Sequence, residues 1–137
     1  MAMVKRIAYP AVFAKEDDGT YSVSFPDIEG CYTCGDDIAD GMNMAEDALA
    51  LMLYSNYEKA GKKFPKASDI KDILVRENEF VSYVMADLTY YRKKYGNKSV
   101  RKSVSIPEWM DIEAENAGIS CSQVLQDAIR EKLMQEA

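Results

Sequence analysis

The first third of the chain alternates apolar and polar residues with the period of β-strands. Residues 4–14 are mostly β-branched, aromatic or small, and the segment KEDDGT that follows supplies a turn. In TYSVSF serines separate the apolar residues, which predicts a strand whose buried face is formed by Tyr21, Val23 and Phe25. A second turn, PDIEG, leads to a short strand at residues 31–34. We therefore predict three successive antiparallel strands.

The period then changes from two residues to that of a helix. Over residues 37–60 apolar side chains recur at spacings of four and three, which predicts an amphipathic helix whose sheet-facing stripe is Ile38, Met42, Ala45, Leu49 and Met52. Gly61 ends this helix. The apolar segment FVSYVMADL, residues 80–88, is typical of a buried returning strand. The order β-β-β-α-β predicts an α+β layer.

The last 40 residues form a second pattern. SVRKSVSIP alternates again, with one face formed by Val100, Lys102, Val104 and Ile106 and the other by Ser99, Arg101, Ser103 and Ser105. Pro107 ends this strand and favours the start of a helix, which Gly118 terminates. SCSQ, residues 120–123, has the form of a capping box in which Ser120 caps and Gln123 reaches back. A second helix follows, with the apolar stripe Val124, Leu125, Ala128, Ile129 and Leu133.

These patterns predict a first domain at residues 1–90, a linker at 91–98 and a second domain at 99–137. One strand and two short helices cannot bury a sufficient core or satisfy the strand edge alone. Two copies solve both problems if their strands pair as an antiparallel ribbon over four interleaved helices. We therefore predict that the second domain dimerises through this ribbon.

Charge is distributed unevenly along the chain, whose net charge is −6. From Arg92 to Lys102 there are six bases and no acid, whereas residues 1–91 carry 9 bases against 16 acids. This predicts two partners of opposite sign, a polyanion for the basic segment and a basic molecule for the first domain.

A two-stranded ribbon fits the major groove of DNA, where arginine and serine can address base edges. The outward positions Arg101, Ser103 and Ser105 are therefore candidate base-reading residues. Lys98 and Lys102 would hold phosphate, as would the start of the second helix at Ser120 and Ser122. The alternative is that these residues form only the wet face of an exposed edge strand.

Catalytic and metal chemistry find little support in the residues. Cys31 and Cys34 form CYTC, but histidine is absent and the third cysteine lies far downstream, so a short strand between two glycine turns is the better interpretation. A nuclease site of the ribonuclease H type needs converging carboxylates; Asp47 and Asp87 are candidates, but the first strand contains no acid. We expect a protein that is not an enzyme and uses no cofactor or metal.

The two halves together resemble HicB-type antitoxins over nearly the whole chain. The first half is similar in YPAVF, in GTYSVSFPDIEGC and in the GD before the helix. The second half resembles a ribbon-helix-helix DNA-binding domain in SIPEW and GISCSQVLQ. The resemblance implies that the β-β-β-α-β domain is a reduced ribonuclease H-like fold. It also implies a bacterial cytoplasmic protein that neutralises a small basic ribonuclease toxin, HicA, and represses its own operon by binding a palindromic operator as a homodimer.

The resemblance marks no toxin-contacting motif, so we predict those contacts at the acids of the conspicuous turns, Asp27, Glu29, Asp36 and Asp37. A higher hetero-oligomer with the toxin is an open possibility. So is an orphan repressor whose acidic domain senses a small molecule and which has no toxin partner. A neighbouring reading frame that encodes a small basic protein separates these two hypotheses. No apolar run approaches the roughly 18 residues of a membrane span, and we expect a cytoplasmic protein without membrane contact.

Overall fold

The computed structural model describes residues 4–135, and the chain forms two compact units that divide between Lys98 and Ser99. The first unit is built on a four-stranded antiparallel sheet with the order β3-β2-β1-β4. Its strands are β1 Arg6–Lys15, β2 Tyr21–Ser24, β3 Tyr32–Gly35 and β4 Glu79–Asp87. The predicted α+β architecture with three successive strands and a returning fourth is confirmed.

Strand β1 is central because it pairs with β2 on one side and with β4 on the other. The pairing with β4 extends from Arg6↔Asp87 to Ala14↔Glu79, so the returning strand is held along its full length. Tyr9, Ala11 and Phe13 lie on the covered face of β1 and are completely buried. Phe13 also stacks on Phe80 of β4, with ring centroids 5.2 Å apart. Alternation in the sequence thus becomes a one-sided core, as the pattern in β2 predicted.

Helix α1, Ile38–Met52, packs on this face and continues as a π-helical turn, Leu53–Glu58. Its buried line is Gly41, Ala45, Leu49 and Ala50, whereas Ile38 and Met42 are exposed. The predicted stripe was therefore wrong in the first helical turn and correct at Ala45 and Leu49. The reason is a close approach of the backbone, which places the smallest residue of the turn, Gly41, against the sheet.

That approach joins two glycines, Gly35 at the end of β3 and Gly41 in α1. A Cβ atom added to Gly35 would overlap the backbone nitrogen of Gly41 and lie 2.7 Å from the carbonyl carbon of Asp40. A Cβ added to Gly41 would lie 3.5 Å from the Cβ of Tyr21, which is an ordinary contact. Only Gly35 therefore requires the absence of a side chain.

We expect Gly35→Ala to destabilise the first unit by about 1–3 kcal/mol, since helix and strand must move apart. Gly41→Ala is the matched control and should be neutral or stabilising by up to about 1 kcal/mol. Alanine loses less backbone freedom than glycine when the chain folds into a helix. Urea unfolding monitored by circular dichroism measures both. Equal midpoints for the two variants would contradict the close approach.

The predicted linker is not a linker over most of its length. Residues Leu88–Tyr95 form helix α2, whose first turn is capped by the Asp87 carboxylate accepting from the Tyr90 amide at 3.2 Å. Leu88 and Tyr91 are buried in the core of the first unit. The mixture of aromatic and charged residues in TYYRKKY is thus an amphipathic helix packed on the first unit, and the expected linker at 91–98 begins only after this helix ends.

The second unit contains helices α3, Glu108–Asn116, and α4, Cys121–Gln135. Gly118, at φ +71°, makes the turn between them as expected. Residues 97–107 form neither helix nor strand in the single chain, because a strand ladder needs a second strand and the described residues supply none. The ribbon at 99–106 stays a prediction.

No residue of α3 or α4 is buried within the described residues. The apolar positions of the second unit instead face solvent, with Val104 60% and Leu133 61% exposed. A shallow apolar groove of about 260 Å³ runs along α4 between Ala128, Ile129 and Leu133. The second unit therefore has an apolar surface that its own residues do not cover.

Candidate functional site

The four acids predicted to meet a basic partner lie around strand β3. The carboxylates of two of them, Asp37 and Asp27, have hydrogen-bond partners within the first unit. Asp37 caps helix α1, with its Oδ1 accepting from the Asp40 amide at 2.8 Å. The Asp36 amide donates in turn to the Asp40 carboxylate at 2.9 Å. Asp37 therefore serves the start of α1, while the Asp36 side chain projects from the same corner.

Asp27 fastens the loop that leads from α1 to β4. Its two carboxylate oxygens accept from the amide and hydroxyl of Ser68, at 2.9 and 2.6 Å. The Tyr9 hydroxyl donates to the Pro65 carbonyl of the same loop at 2.5 Å. Burial, together with the nearby negative charge of Asp27, raises the pKa of Tyr9, so this hydroxyl remains a donor. Both hydrogen-bonding oxygens of Asp27 are thus engaged inside the unit.

Glu29 and Asp36 are different. Both are exposed, and within residues 4–135 no hydrogen bond or ion pair involves either carboxylate. They lie on either side of β3 in the chain, Glu29 before the strand and Asp36 after it. Of the four predicted acids, these two are the ones whose charge is available to a partner.

A surface feature that the sequence pattern did not reveal lies between them. Two grooves of about 420 and 360 Å³ adjoin at the β2–β3 turn and share Gly30 and Tyr32 in their walls. The first is lined by Asp27 and Glu29 among others, and the second by Leu51 and Met52 of α1. Tyr32 is 74% exposed at the boundary between them. We call Tyr32 with these two grooves the Tyr32 surface.

The chain around the Tyr32 surface contains no base. Between Lys15 and Lys59 there are 11 acids and neither lysine nor arginine. This stretch provides β2, β3 and α1, so the bases of the first unit are confined to residues 5–15 and to the residues after α1. The base-free stretch is visible in the sequence, but the net charge summed over residues 1–91 conceals it.

Two of these acids are neutralised by helix α2. Arg92 donates through Nε to both carboxylate oxygens of Glu58, at 2.8 and 2.9 Å, and its Nη2 lies 2.5 Å from one of them. The Lys94 Nζ lies 3.6 Å from Asp47. Arg92 and Lys94, which belong to the basic segment in the sequence, therefore serve the first unit and are not free for a polyanion.

The two cysteines of CYTC differ in their exposure. Cys31 is buried and Cys34 is exposed, as expected for residues on opposite faces of a strand. Burial raises the pKa of the Cys31 thiol to about 11, so it remains protonated at neutral pH. Among residues 4–135 no group of three cysteine, aspartate or glutamate side chains converges to hold a metal ion. The motif CYTC matters here for the tyrosine between its cysteines.

The two carboxylates considered for a nuclease site have structural partners. Asp47 accepts from the Tyr95 hydroxyl at 3.3 Å in addition to its ion pair with Lys94. Asp87 caps α2. Both carboxylates therefore contact helix α2 of the first unit.

The predicted DNA-contacting residues fall on two parts of the chain. Lys98 is the last residue of the first unit, and Arg101, Lys102, Ser103 and Ser105 follow in the extended segment. All five side chains are exposed. This segment therefore presents three bases within five residues, with the apolar Val100 between them and Val104 two residues after the last.

Helix α4 begins as the capping box predicts in one half only. Ser120 Oγ accepts from the Gln123 amide at 3.3 Å, so Ser120 is the cap. The Gln123 side chain points forward and donates to Asp127 at 2.9 Å, so the expected contact back to Ser120 is wrong. The Asp127 carboxylate is one turn away and fixes Gln123 there. Ser122 lies in the exposed first turn of α4.

The sequence of this chain is similar to those of several known proteins. A family model described as HicB-like antitoxin of bacterial toxin–antitoxin systems matches residues 9–129. Antitoxin HicB 1 of Photorhabdus laumondii is 35% identical over 63 residues, which cover 46% of this chain and 40% of that protein. An uncharacterised 14.9 kDa protein of Haemophilus phage HP1 is 30% identical over 89 residues, covering 63% of this chain and 65% of that protein. The alignments thus span less than two thirds of the length of these curated relatives.

A solved structure extends the similarity to most of the chain. A chain of the toxin–antitoxin complex from Streptococcus pneumoniae matches with a TM-score of 0.60 and 27% identity, covering 93% of this chain and 99% of that chain.

Within residues 4–135, no helix has both the length and the apolar character needed to cross a membrane.

Proposed function

Because this chain belongs to the HicB-like antitoxin family of bacterial toxin–antitoxin systems, we propose that it binds and neutralises a small basic HicA-type toxin through its first unit and represses its own operon through its second. The family match across residues 9–129 carries this proposal. The similar chain from S. pneumoniae belongs to a toxin–antitoxin complex, which supports a toxin as the partner. The sheet order β3-β2-β1-β4 with a helix on one face supports a reduced ribonuclease H-like fold for the first unit.

The charge of the first unit supports a basic partner. Eleven acids in a stretch without bases create a negative field that attracts a cationic protein and speeds its association. Neutralisation needs no chemistry of its own, because a bound antitoxin can occlude the toxin's RNA site. We therefore propose a binding protein that acts in the bacterial cytoplasm and is not an enzyme.

The second unit supports DNA binding by a dimer. Its extended segment carries Arg101 and Lys102, and two helices with an uncovered apolar surface follow. Pairing two segments into a ribbon would cover Val104 and Ile106 and present Arg101, Ser103 and Ser105 to the major groove. Ser120 and Ser122 would place the first amides of α4 near phosphate. A palindromic operator follows from the two-fold symmetry.

The test is a division of the chain at Lys98. A fragment of residues 1–98 retains α2 with its Glu58–Arg92 pair, so it should fold and bind the toxin encoded next to it. We expect its toxin affinity to match that of the full chain and to fall as salt increases, because complementary charges are screened within about 8 Å at physiological ionic strength. Isothermal titration at two salt concentrations measures this.

A fragment of residues 99–137 is the control and should not bind toxin. Toxin binding by residues 99–137 alone would contradict the assignment of toxin recognition to the first unit. A fragment that ends before Lys93 would remove part of α2 and confuse loss of folding with loss of recognition.

A further inference from the structure

The Tyr32 surface combines the properties of a protein-binding site with a charge that selects its partner. Tyr32 is exposed at the meeting of two grooves, although nothing in the fold of the first unit depends on its ring. Leu51, on the wall of the second groove, is 41% exposed. Tyrosine beside an apolar groove is the residue type and setting in which binding energy concentrates, because the ring buries much area with little loss of conformational freedom.

The charges near this surface point to one kind of occupant. Glu29 lines the first groove, and the structure gives its carboxylate no internal partner among the described residues. The base-free stretch surrounds it in sequence, from β2 through α1. By contrast, Glu58 and Asp47 are already paired with Arg92 and Lys94. The Glu29 carboxylate on the Tyr32 surface therefore carries a charge that no base among the described residues neutralises.

The edge position of β3 adds a second means of contact. The sheet order places β3 at an edge, paired with β2 alone. Its outer backbone groups are open to a segment that lies alongside it, within reach of both grooves. A second copy of this chain would bring the same negative charges to the surface and be repelled. A basic protein gains from both charge and apolar contact.

We infer that the Tyr32 surface is the docking site for the basic toxin, with Tyr32 buried at its centre. This inference rests on the proposed function. The toxin segment that fits presents lysine or arginine beside apolar residues, so that an aliphatic stem lies on Leu51 and Met52 while a cationic head reaches Glu29. Asp27 contributes through its fixing of the turn, whereas Asp37 acts only by capping α1.

The experiment titrates the purified neighbouring toxin into the full chain and its variants by isothermal calorimetry. Tyr32→Ala should weaken toxin binding by at least about 30-fold, as expected for a central aromatic anchor. Tyr90→Ala is the matched control, since Tyr90 is 59% exposed on α2, and its affinity should stay within about three-fold of wild type. Thermal unfolding of Tyr32→Ala should match wild type because its ring does not belong to the core. Tyr90→Ala loses an edge contact with Tyr91 and should unfold at a slightly lower temperature.

A second pair of variants keeps the inference testable if Tyr32→Ala perturbs the turn. Leu51→Lys places a positive charge on the same surface and should weaken binding at least about ten-fold, whereas Met85→Lys on β4 should not. Glu29→Lys should also weaken binding and reduce its dependence on salt.

The possible results test the Tyr32 surface and the proposed function separately. If the wild-type chain does not bind the toxin, the proposed function falls and this inference with it. If wild type binds and the Tyr32 and Leu51 variants bind equally well, the docking surface is wrong while the function stands. If these variants change the oligomeric state of the chain and leave toxin affinity intact, the surface is an interface between copies and the inference is overturned.

Discussion

Val104→Asp should convert the protein to a monomer at micromolar concentration and abolish operator binding. In the proposed ribbon, Val104 points into the core shared by two second units, and each dimer would bury two unpaired carboxylates. Burying a charge without a partner costs at least a few kcal/mol, so the dissociation constant of the dimer should rise more than about 100-fold. Val104 is 60% exposed in the single chain and lies outside the core of the first unit, so the substitution leaves the fold of that unit intact. Light scattering coupled to chromatography gives the mass directly.

Ser103→Asp provides the matched control on the opposite face of the same segment. It adds the same charge at the proposed DNA-facing surface, so the dimer should persist while operator binding is lost to phosphate repulsion. A dimeric Val104→Asp variant would contradict the ribbon, because the second unit would then pair through other residues or the chain through its first unit.

Arg101→Ala should weaken operator binding by about 1–3 kcal/mol for each contact and relax sequence preference at one position in each half-site. Two copies of the arginine act in a dimer, so the loss is expected in both half-sites. Gel-shift titrations on the operator and on single-base variants of each half-site measure the loss and its position.

Lys98→Ala separates phosphate attraction from base reading. It should weaken all sequences about equally and flatten the dependence of affinity on salt by about one unit of slope for each phosphate that the variant no longer neutralises. Both variants should still bind the toxin with wild-type affinity. Equal operator affinity of Arg101→Ala and wild type at matched salt would show that the segment is only a solvated strand.

The strands were predictable because one-sided burial imposes alternation, and Tyr21, Val23 and Phe25 carry that signal without interruption. The first turn of α1 was not, because hydrophobicity favours Ile38 and Met42 whereas geometry favours Gly41. Periodicity weighs how apolar a residue is and carries no information on how closely two backbones approach. The Gly35–Gly41 contact therefore had no signal in the pattern.

The candidate site was predictable in its charge and not in its geometry. A net excess of acids indicates a basic partner, but it cannot distinguish Asp27 from Glu29. Asp27 accepts hydrogen bonds from Ser68, 41 residues away, whereas the Glu29 carboxylate has no partner among the described residues. The same holds for the bases, because Arg92 is part of the basic segment in the sequence but forms an ion pair with Glu58 in the structure. The Tyr32 surface was not predicted, because its grooves form where the β2–β3 turn meets α1 and the π-helical turn that continues it.

The missing core of the second unit has a consequence for the regulation of the operon. If the apolar face of α4 is covered only by another chain, folding of this unit is a second-order reaction, and its stability depends on how much protein the cell contains. Operator occupancy then varies with the square of the free antitoxin level in the range where monomers predominate. A modest fall in that level relieves repression more steeply than a monomeric repressor would allow, while the first unit, which carries its own core, stays folded and able to hold toxin.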